Sequence, residues 1–311
     1  MDISNKTAPS EFILLAFSEL NEWHFFLSGL MIFTYLFTVM GNSLIIFLVS
    51  FESNLQTPMY IFLSNLSVLD ICLTTTTIPQ LIVNLISGRS VIAYTRCKIQ
   101  LFFYVLFVGS EFLLLAVMAY DRYAAICNPL HYTMIMSQKL CGQLLSASWF
   151  ISSLNSTIHT VFTFSLPFCR ANKINYFYCD ISPFLAISCG DISRSVNALL
   201  ATSPIMGLAP AVCIIISYIC IISTILKMNS SAAMRKAFST CASHFIVIFL
   251  YCGSCLFSYT RPISSYSLNR DSIIALVNNM ISPVLNPLIY TLRNKDVKAA
   301  LQNFMMRKLF S

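Results

Sequence analysis

The sequence MAYDRYAAICNPLHY, residues 118–132, places an acid–base pair, Asp121 and Arg122, directly after a long apolar run. That run, residues 99–120, contains a single charged side chain, Glu111. A carboxylate beside a guanidinium costs little at a membrane–water boundary, where both groups keep some water, but is expensive at the centre of a bilayer. The motif therefore marks the end of a helix that crosses a membrane.

Composition places the chain among integral membrane proteins. Only 10% of its 311 residues are charged and 57% are hydrophobic, whereas soluble domains are roughly 25% charged. A bilayer core of about 30 Å requires roughly 20 apolar residues per helix. Seven stretches are long enough, at residues 25–50, 58–86, 98–122, 140–164, 196–227, 237–260 and 271–292. We predict an all-α membrane protein, a seven-transmembrane helix bundle whose single domain covers residues 1–311.

The tail that follows the last span, residues 293–311, has its own helical pattern. Its apolar residues recur at i, i+4, i+7 and i+8 and are Val297, Leu301, Phe304 and Met305, with Lys295, Lys298, Arg307 and Lys308 around them. This pattern predicts a short amphipathic helix that lies on the membrane surface.

The orientation of the bundle is predicted by residues other than the basic ones. With the N-terminus outside, ten Lys and Arg residues lie inside and nine outside, so the positive-inside rule hardly discriminates. Asn5 begins a glycosylation sequon in the segment before the first span, residues 1–24, and a sequon is usable only on the outer side. We therefore expect an extracellular N-terminus and a cytoplasmic tail.

Four cysteines fall on this predicted outer side, where disulfides persist: Cys97, Cys169, Cys179 and Cys189. Four cysteines allow three connectivities. We expect Cys97 to pair with Cys179, which ties the long loop to the third helix, and Cys169 to pair with Cys189 within that loop.

Motifs spread along the chain resemble those of one family. Besides residues 118–132, they are TPMY at 57–60, Ser217-Tyr218, KAFSTCASH at 236–244 and PVLNPLIYTLRN at 283–294. Together they resemble the vertebrate olfactory receptors of the tetrapod-type class, a branch of the rhodopsin-like G protein-coupled receptors. The resemblance covers about residues 11–301.

The resemblance implies a switch at the inner end of the bundle, in which Arg122 pairs with Asp121 at rest and turns toward a G protein on activation. The other residues that it assigns to the switch and to G protein docking are Tyr123, Tyr218, Lys236, Thr240, His244, Asn286, Pro287 and Tyr290. A proline within a span frees a backbone carbonyl and permits a kink. The alternatives are a boundary pair that only ends the helix and tyrosines that only anchor helices at the interface.

Asp70 and Glu111 are the two carboxylates that lie within spans and away from their ends. Intramembrane acids are costly and usually face the bundle interior, where two that meet either share a proton or hold a cation. In related receptors the matching positions resemble a sodium site, with Asn42 and Asn286 on the helices that complete it. The alternative is a protonated polar core without an ion. We expect no other cofactor.

The resemblance places the ligand between the outer halves of helices three, five and six. On the third helix the inward stripe is Leu101, Tyr104, Val105, Val108, Gly109 and Phe112. Across from it we expect Thr202, Met206, Cys252, Tyr259 and Asn155. Relatives that bind amines carry an aspartate where this chain has Tyr104, so a small, neutral, largely apolar ligand is expected. Ordinary helix packing is the alternative for each of these residues.

The resemblance implies an odorant receptor of the plasma membrane, in the sensory cilia of olfactory neurons, that activates a stimulatory G protein and raises cyclic AMP. Its partners are then an odorant, a G protein and membrane lipid, with no nucleic acid. The chain has no phosphate-binding glycine loop and no HExxH motif, so no enzyme is predicted. The alternatives are a receptor for another small ligand, a peptide or a lipid, and a transporter or channel, which the lack of internal repeats disfavours.

Overall fold

The computed structural model describes residues 9–17, 23–168, 172–228, 230–231, 234–235, 241, 245, 248, 268–293 and 297–302. Its helices are α1 His24–Phe51, α2 Pro58–Ser87, α3 Tyr94–Cys127, α4 Tyr132–Ile135, α5 Gln138–Phe164, α6 Ile181–Ile187, α7 Ser193–Ser203, α8 Ala209–Leu226 and α9 Leu268–Arg293. A π-helix, Pro204–Leu208, joins α7 to α8. Three short strands are β1 Glu11–Leu14, β2 Val91–Ala93 and β3 Lys173–Ile174.

Long helices lie at six of the seven predicted spans. Among the described residues, four helices are long and apolar enough to cross a membrane: His24–Phe51, Pro58–Ser87, Tyr94–Cys127 and Ser193–Leu226. The 27 residues of α5 measure about 40 Å at 1.5 Å per residue, which is also enough for a 30 Å core. The sixth predicted span, residues 237–260, lies almost wholly outside the described residues.

Local sequence explains where α2 begins and ends. Pro58 occupies its first turn, where a missing backbone N–H costs nothing. Gly88 ends the helix with a φ of 64°, a left-handed conformation that favours glycine. The helix therefore has both of the end signals that sequence patterns predict.

The central helix is α3, which packs against α2, α5 and α8, while α9 packs against α1 and α2. Gly41 permits the close approach of α1 to α9, because a Cβ atom there would lie 3.0 Å from the Cβ of Pro287. Large apolar side chains on the outside of α1, such as Phe25 and Phe33, are exposed, as expected of a surface that meets lipid.

A small three-stranded sheet caps the end of the bundle at which α3 begins. Its strand order is β2-β1-β3, with β1 antiparallel to β2 and parallel to β3. Phe12 of β1 is completely buried, and its ring lies 5.0 Å from Phe184 and 5.6 Å from Phe168, measured between ring centroids. The sequence did not predict this sheet.

The Cys97–Cys179 disulfide is confirmed: it joins the start of α3 to the loop before α6, with Cα atoms 5.6 Å apart. Cys189 is also in a disulfide, and its predicted partner, Cys169, lies outside the described residues, as does the sequon at Asn5.

The predicted surface helix of the tail is described only in part. Residues 297–302 are helical, with Val297 buried and Lys298 exposed, as an amphipathic pattern requires. Phe304, Met305, Arg307 and Lys308 lie outside the described residues.

Candidate functional site

The acid–base pair lies near the end of α3, where the chain turns back through a 3₁₀ turn, Pro129–His131, into α4. Asp121 is buried, and its Oδ2 atom lies 3.9 Å from Nε of Arg122. The hydroxyl of Tyr132 donates a 2.7 Å hydrogen bond to Oδ1 of the same carboxylate. One side chain from α3 and one from α4 therefore hold the Asp121 carboxylate.

Tyr132 is the last residue of the motif at residues 118–132, but nothing in the sequence pattern assigns it a role. Burial, and then the neighbouring Asp121 carboxylate, raise the pKa of Tyr132 well above its usual range. The phenol therefore stays protonated and able to donate. The signal that could have found it is the proline turn, which sends the chain back toward Asp121.

The structure describes only some of the other residues that the resemblance assigns to the switch. Tyr218 of α8 is buried, and its hydroxyl donates a 3.5 Å hydrogen bond to the backbone carbonyl of Cys241. Tyr123 is half-buried. Tyr290 lies in α9, with its side chain outside the described part of the structure, and Lys236, Thr240 and His244 are outside it altogether.

A polar core lies among α1, α2, α3 and α9. Asp70 and Glu111 are both 0% exposed, and Nδ2 of Asn286 donates a 2.8 Å hydrogen bond to Oδ2 of Asp70. Asn42 donates a 3.1 Å hydrogen bond to the carbonyl of Pro283. That carbonyl cannot be the acceptor of the usual helical bond, because the residue four positions on is Pro287, which has no N–H.

This core offers oxygen atoms for a cation. Within the described residues, Oδ1 of Asp70, Oγ of Ser67 and Oγ of Ser110 make no hydrogen bond. Carboxylate and hydroxyl oxygens are the ligands that hard cations prefer. No group of three or more His, Cys, Asp or Glu residues that could hold a metal occurs in the described part of the chain, so an ion here would depend on hydroxyl and amide oxygens as well as Asp70.

At the other end of α3, Tyr104 contacts the loop that the disulfide anchors. The hydroxyl of Tyr178 donates a 2.8 Å hydrogen bond to the hydroxyl of Tyr104, and their ring centroids are 4.5 Å apart. Tyr178 was missed in the sequence, although it precedes Cys179. The disulfide therefore fixes a second tyrosine beside the one predicted to line the pocket.

Two further predicted ligand residues meet each other. A Cβ atom on Gly109 would lie 2.7 Å from Cε of Met206 and 3.2 Å from Oγ of Ser152. The first contact brings α3 against the π-helix, and the second brings it against α5, the helix that also carries Asn155.

The other residues predicted to bind the ligand differ in their burial and in their hydrogen-bond partners. Thr202 is hydrogen-bonded to Nε2 of His159 at 2.9 Å, a partner that the sequence did not identify. Asn155 is half-buried, Leu101 is completely buried, and Val105, Val108 and Phe112 are half-buried. Cys252 and Tyr259 lie outside the described residues.

The fold is similar to that of squid rhodopsin, with a TM-score of 0.69 at 16% sequence identity over 93% of this chain and 87% of that one. At this identity the similarity establishes the fold alone. The protein has the seven-helix fold of the rhodopsin-like receptors, and the predicted fold class is confirmed.

The sequence comparisons are more specific. A family model described as olfactory receptor matches residues 31–308. Human olfactory receptor 1C1 is 44% identical over 307 residues, which cover 99% of this chain and 98% of that receptor. Gorilla olfactory receptor 1G1 is 45% identical over 305 residues, 98% of this chain and 97% of that one. The chain belongs to the olfactory receptor family, whose members are G protein-coupled receptors and not enzymes.

Proposed function

We propose that the chain is an odorant receptor that binds a small, neutral, largely apolar volatile near Tyr104 and activates a stimulatory heterotrimeric G protein, which raises cyclic AMP. Two tyrosine hydroxyls bonded to each other, in place of a carboxylate, support a neutral ligand at that end of α3. Pockets of this kind orient a mainly apolar ligand with a few polar groups.

The observation that carries the proposal is the arrangement at Asp121, which suits a resting state. The carboxylate is held by Arg122 and Tyr132, while Tyr218 is bonded to the backbone of Cys241. An agonist that binds the active conformation more tightly shifts the population toward it. In that state Arg122 leaves Asp121 and contacts the G protein.

The proposed orientation has the N-terminus outside the cell. Cys97 and Arg122 are 25 positions apart on one helix, about 37 Å at 1.5 Å per residue, so they lie on opposite sides of a bilayer core. Disulfides persist on the extracellular side, which supports a cytoplasmic position for Arg122. We further propose that the receptor resides in the plasma membrane of the sensory cilia. An antibody should label an N-terminal epitope tag on intact cells. Labelling that occurs only after permeabilisation would contradict the proposed orientation.

We also propose that the polar core binds sodium at Asp70, with Glu111, Asn42 and Asn286 nearby. The unbonded oxygens of the core support this proposal. Basal cyclic AMP production in membranes should change when sodium chloride replaces potassium chloride. Asp70→Asn and Glu111→Gln should each remove that dependence, and a wild-type receptor that responds equally in both salts would contradict the site.

The function is tested by expressing the chain in cells that carry a cyclic AMP reporter and exposing them to a chemically diverse odorant panel. At least one neutral volatile should raise cyclic AMP in a concentration-dependent way, and the response should disappear in cells that lack stimulatory G protein α subunits. A surface-expressed chain that responds to peptides but to no volatile would contradict the odorant assignment, and a response that survives without those subunits would contradict the coupling.

A further inference from the structure

The face of α5 that packs into the bundle is polar. Its buried residues are Cys141, Ser148, Ser152, Ser156, His159, Thr160, Thr163 and Phe164. Small polar residues let membrane helices approach closely, so packing alone explains most of this face. Three of its members also have clear hydrogen bonds: Ser148 donates to the Leu144 carbonyl, Ser156 to the Phe102 carbonyl, and His159 pairs with Thr202.

Ser152 differs from its two serine neighbours. Its side chain is 0% exposed, and its hydroxyl has no hydrogen-bond partner in the described part of the chain. Oδ1 of Asn155 is likewise buried without a partner among the described residues. Residues three apart on a helix are neighbours on its surface, so Ser152 and Asn155 are neighbours on α5. Buried polar groups without partners are costly within a membrane, so a ligand that pairs with these two would remove that cost.

These two groups lie where three elements meet. Ser152 approaches the bare Cα of Gly109 on α3, and the terminal methyl of Met206 reaches the same glycine from the π-helix. Methionine side chains are flexible and fill irregular gaps, and single π-helical turns recur at functional sites. Rotation of Met206 away from Gly109 would free a space bordered by the Ser152 hydroxyl.

We propose that the junction of Gly109, Ser152, Asn155 and Met206 binds a hydroxyl group of the odorant, so that the receptor prefers alcohols. The proposal rests on the proposed function and specifies its ligand class. A hydroxyl both donates and accepts hydrogen bonds: it can donate to Oδ1 of Asn155 and accept from the hydroxyl of Ser152. Aldehydes and ethers only accept, and they leave the Asn155 oxygen unpaired.

A site that hydrogen-bonds a ligand hydroxyl discriminates against analogues that lack it, because its own polar groups are then left buried and unpaired. For neutral partners the expected difference is about 5- to 30-fold in the concentration that gives half-maximal response. Alcohols should therefore be more potent than aldehydes and methyl ethers of the same carbon skeleton.

The test uses primary alcohols of about six to ten carbon atoms, a size that such pockets accept, with their matched aldehydes and methyl ethers. Cyclic AMP and surface expression are measured for the wild type, Asn155→Ala, Ser152→Ala and Ser148→Ala. Asn155→Ala removes the acceptor that only the alcohols use, so it should lower the potency of the alcohols to that of the ethers and leave the ethers within about twofold. Ser152→Ala removes a donor that alcohols and ethers share, so it should lower the potency of both. Ser148→Ala removes a similar hydroxyl that is bonded within its own helix, so it should leave both potencies unchanged.

A second pair of variants tests the role of Met206. In Gly109→Ala the new methyl would lie 2.7 Å from Cε of Met206, which crowds the junction, so the potency of the alcohols should fall. Met206→Ala added to Gly109→Ala removes the crowding and should restore part of that potency. If the double variant is no better than Gly109→Ala, Met206 does not occupy the binding space.

Failure of the hydroxyl site and failure of the odorant function would give different results. A wild-type receptor that responds to aldehydes or ethers as well as to the matched alcohols, or a preference that Asn155→Ala leaves intact, would overturn the hydroxyl site and leave the odorant function standing. Silence of the surface-expressed wild type toward every volatile would contradict both proposals.

Discussion

The two ends of α3 are held in different ways. At the Cys97 end, a disulfide, a three-stranded sheet and the aromatic contacts of Phe12 join α3 to the loops. At the Asp121 end, the described contacts that fix the carboxylate are a 3.9 Å ion pair and one hydrogen bond from Tyr132. A switch requires two conformations close in free energy. In the proposed switch, the Asp121 end is the one that changes conformation and the Cys97 end is the one that keeps its shape.

The largest expected effect comes from breaking the Cys97 end. Cys97→Ser removes a disulfide that encloses 82 positions of sequence, and such a loss typically costs about 2–5 kcal/mol of unfolding free energy. We expect most receptor to disappear from the cell surface, as measured by flow cytometry. Cys213→Ser, which alters a free cysteine, is the control and should keep normal surface levels. Equal surface levels of the two variants would show that the disulfide is dispensable.

Acidity should affect the same end through Asp180, which precedes α6. Burial raises the pKa of Asp180 from 3.8 to about 6, although the backbone N–H of Ile181 opposes the shift. Because the folded-state pKa exceeds the unfolded one, the folded state binds more protons between these values, so stability falls as pH rises from about 4 to about 6. This difference in pKa between the folded and unfolded states corresponds to about 3 kcal/mol of unfolding free energy at most.

The measurement is the thermal unfolding of purified receptor at pH 5 and pH 7. The unfolding temperature should be higher at pH 5 than at pH 7. Asp180→Asn can still accept the hydrogen bond from the Ile181 N–H but no longer titrates, so the difference in unfolding temperature between the two pH values should be smaller in this variant. An unchanged difference in Asp180→Asn would assign the pH dependence to other groups.

In the middle of the bundle, Asn42 of α1 donates a hydrogen bond to the Pro283 carbonyl of α9. Pro287 cannot supply the helical N–H donor that this carbonyl would otherwise have. Asn42→Ala removes the side chain that donates to the Pro283 carbonyl, and a buried acceptor left unpaired costs about 1–3 kcal/mol. We expect faster thermal inactivation of the receptor. Asn65→Ala is the matched control, because Asn65 donates only to the Ile61 carbonyl of its own helix in the described structure. If both variants lose stability equally, the link between α1 and α9 has no special role.

The smallest expected effect comes from a substitution at the Asp121 end of α3. Tyr132→Phe removes one hydrogen bond from the carboxylate, about 0.5–1.5 kcal/mol, and so releases Arg122 more easily. Basal cyclic AMP should rise about two- to tenfold at normal surface expression. Tyr120→Phe changes an exposed tyrosine on the same helix and should have no effect. Basal activity that stays unchanged in Tyr132→Phe would remove Tyr132 from the switch.

Sequence predicted what is local or repeats along the chain. The apolar spans, the motif at residues 118–132 and the pairing of Cys97 with Cys179 depend on composition and position, and they are readable without a fold. The contacts of Tyr132 with Asp121 and of Ser152 with Gly109 depend on how a turn and a helix are placed. The proline turn at residues 129–131 could have indicated the contact of Tyr132 with Asp121. Nothing in the sequence pattern indicated the contact of Ser152 with Gly109.

The same distinction explains the sheet and the polar face of α5. Strand β1 has four residues and pairs with segments about 80 and 160 positions away, so no short window contains its partners. The serines and threonines of α5 lower its apolar character, and their burial follows from packing against α3. Such residues become informative only when their hydrogen-bond partners are known.

The most direct test of the account is the cyclic AMP response of Arg122→Ala to an odorant that activates the wild type. The variant should reach the cell surface at normal levels, because the Cys97 end is intact, and should lose the response. Arg194→Ala, which removes an exposed arginine at the start of α7, should respond as the wild type does. A full response from surface-expressed Arg122→Ala would contradict the proposed switch.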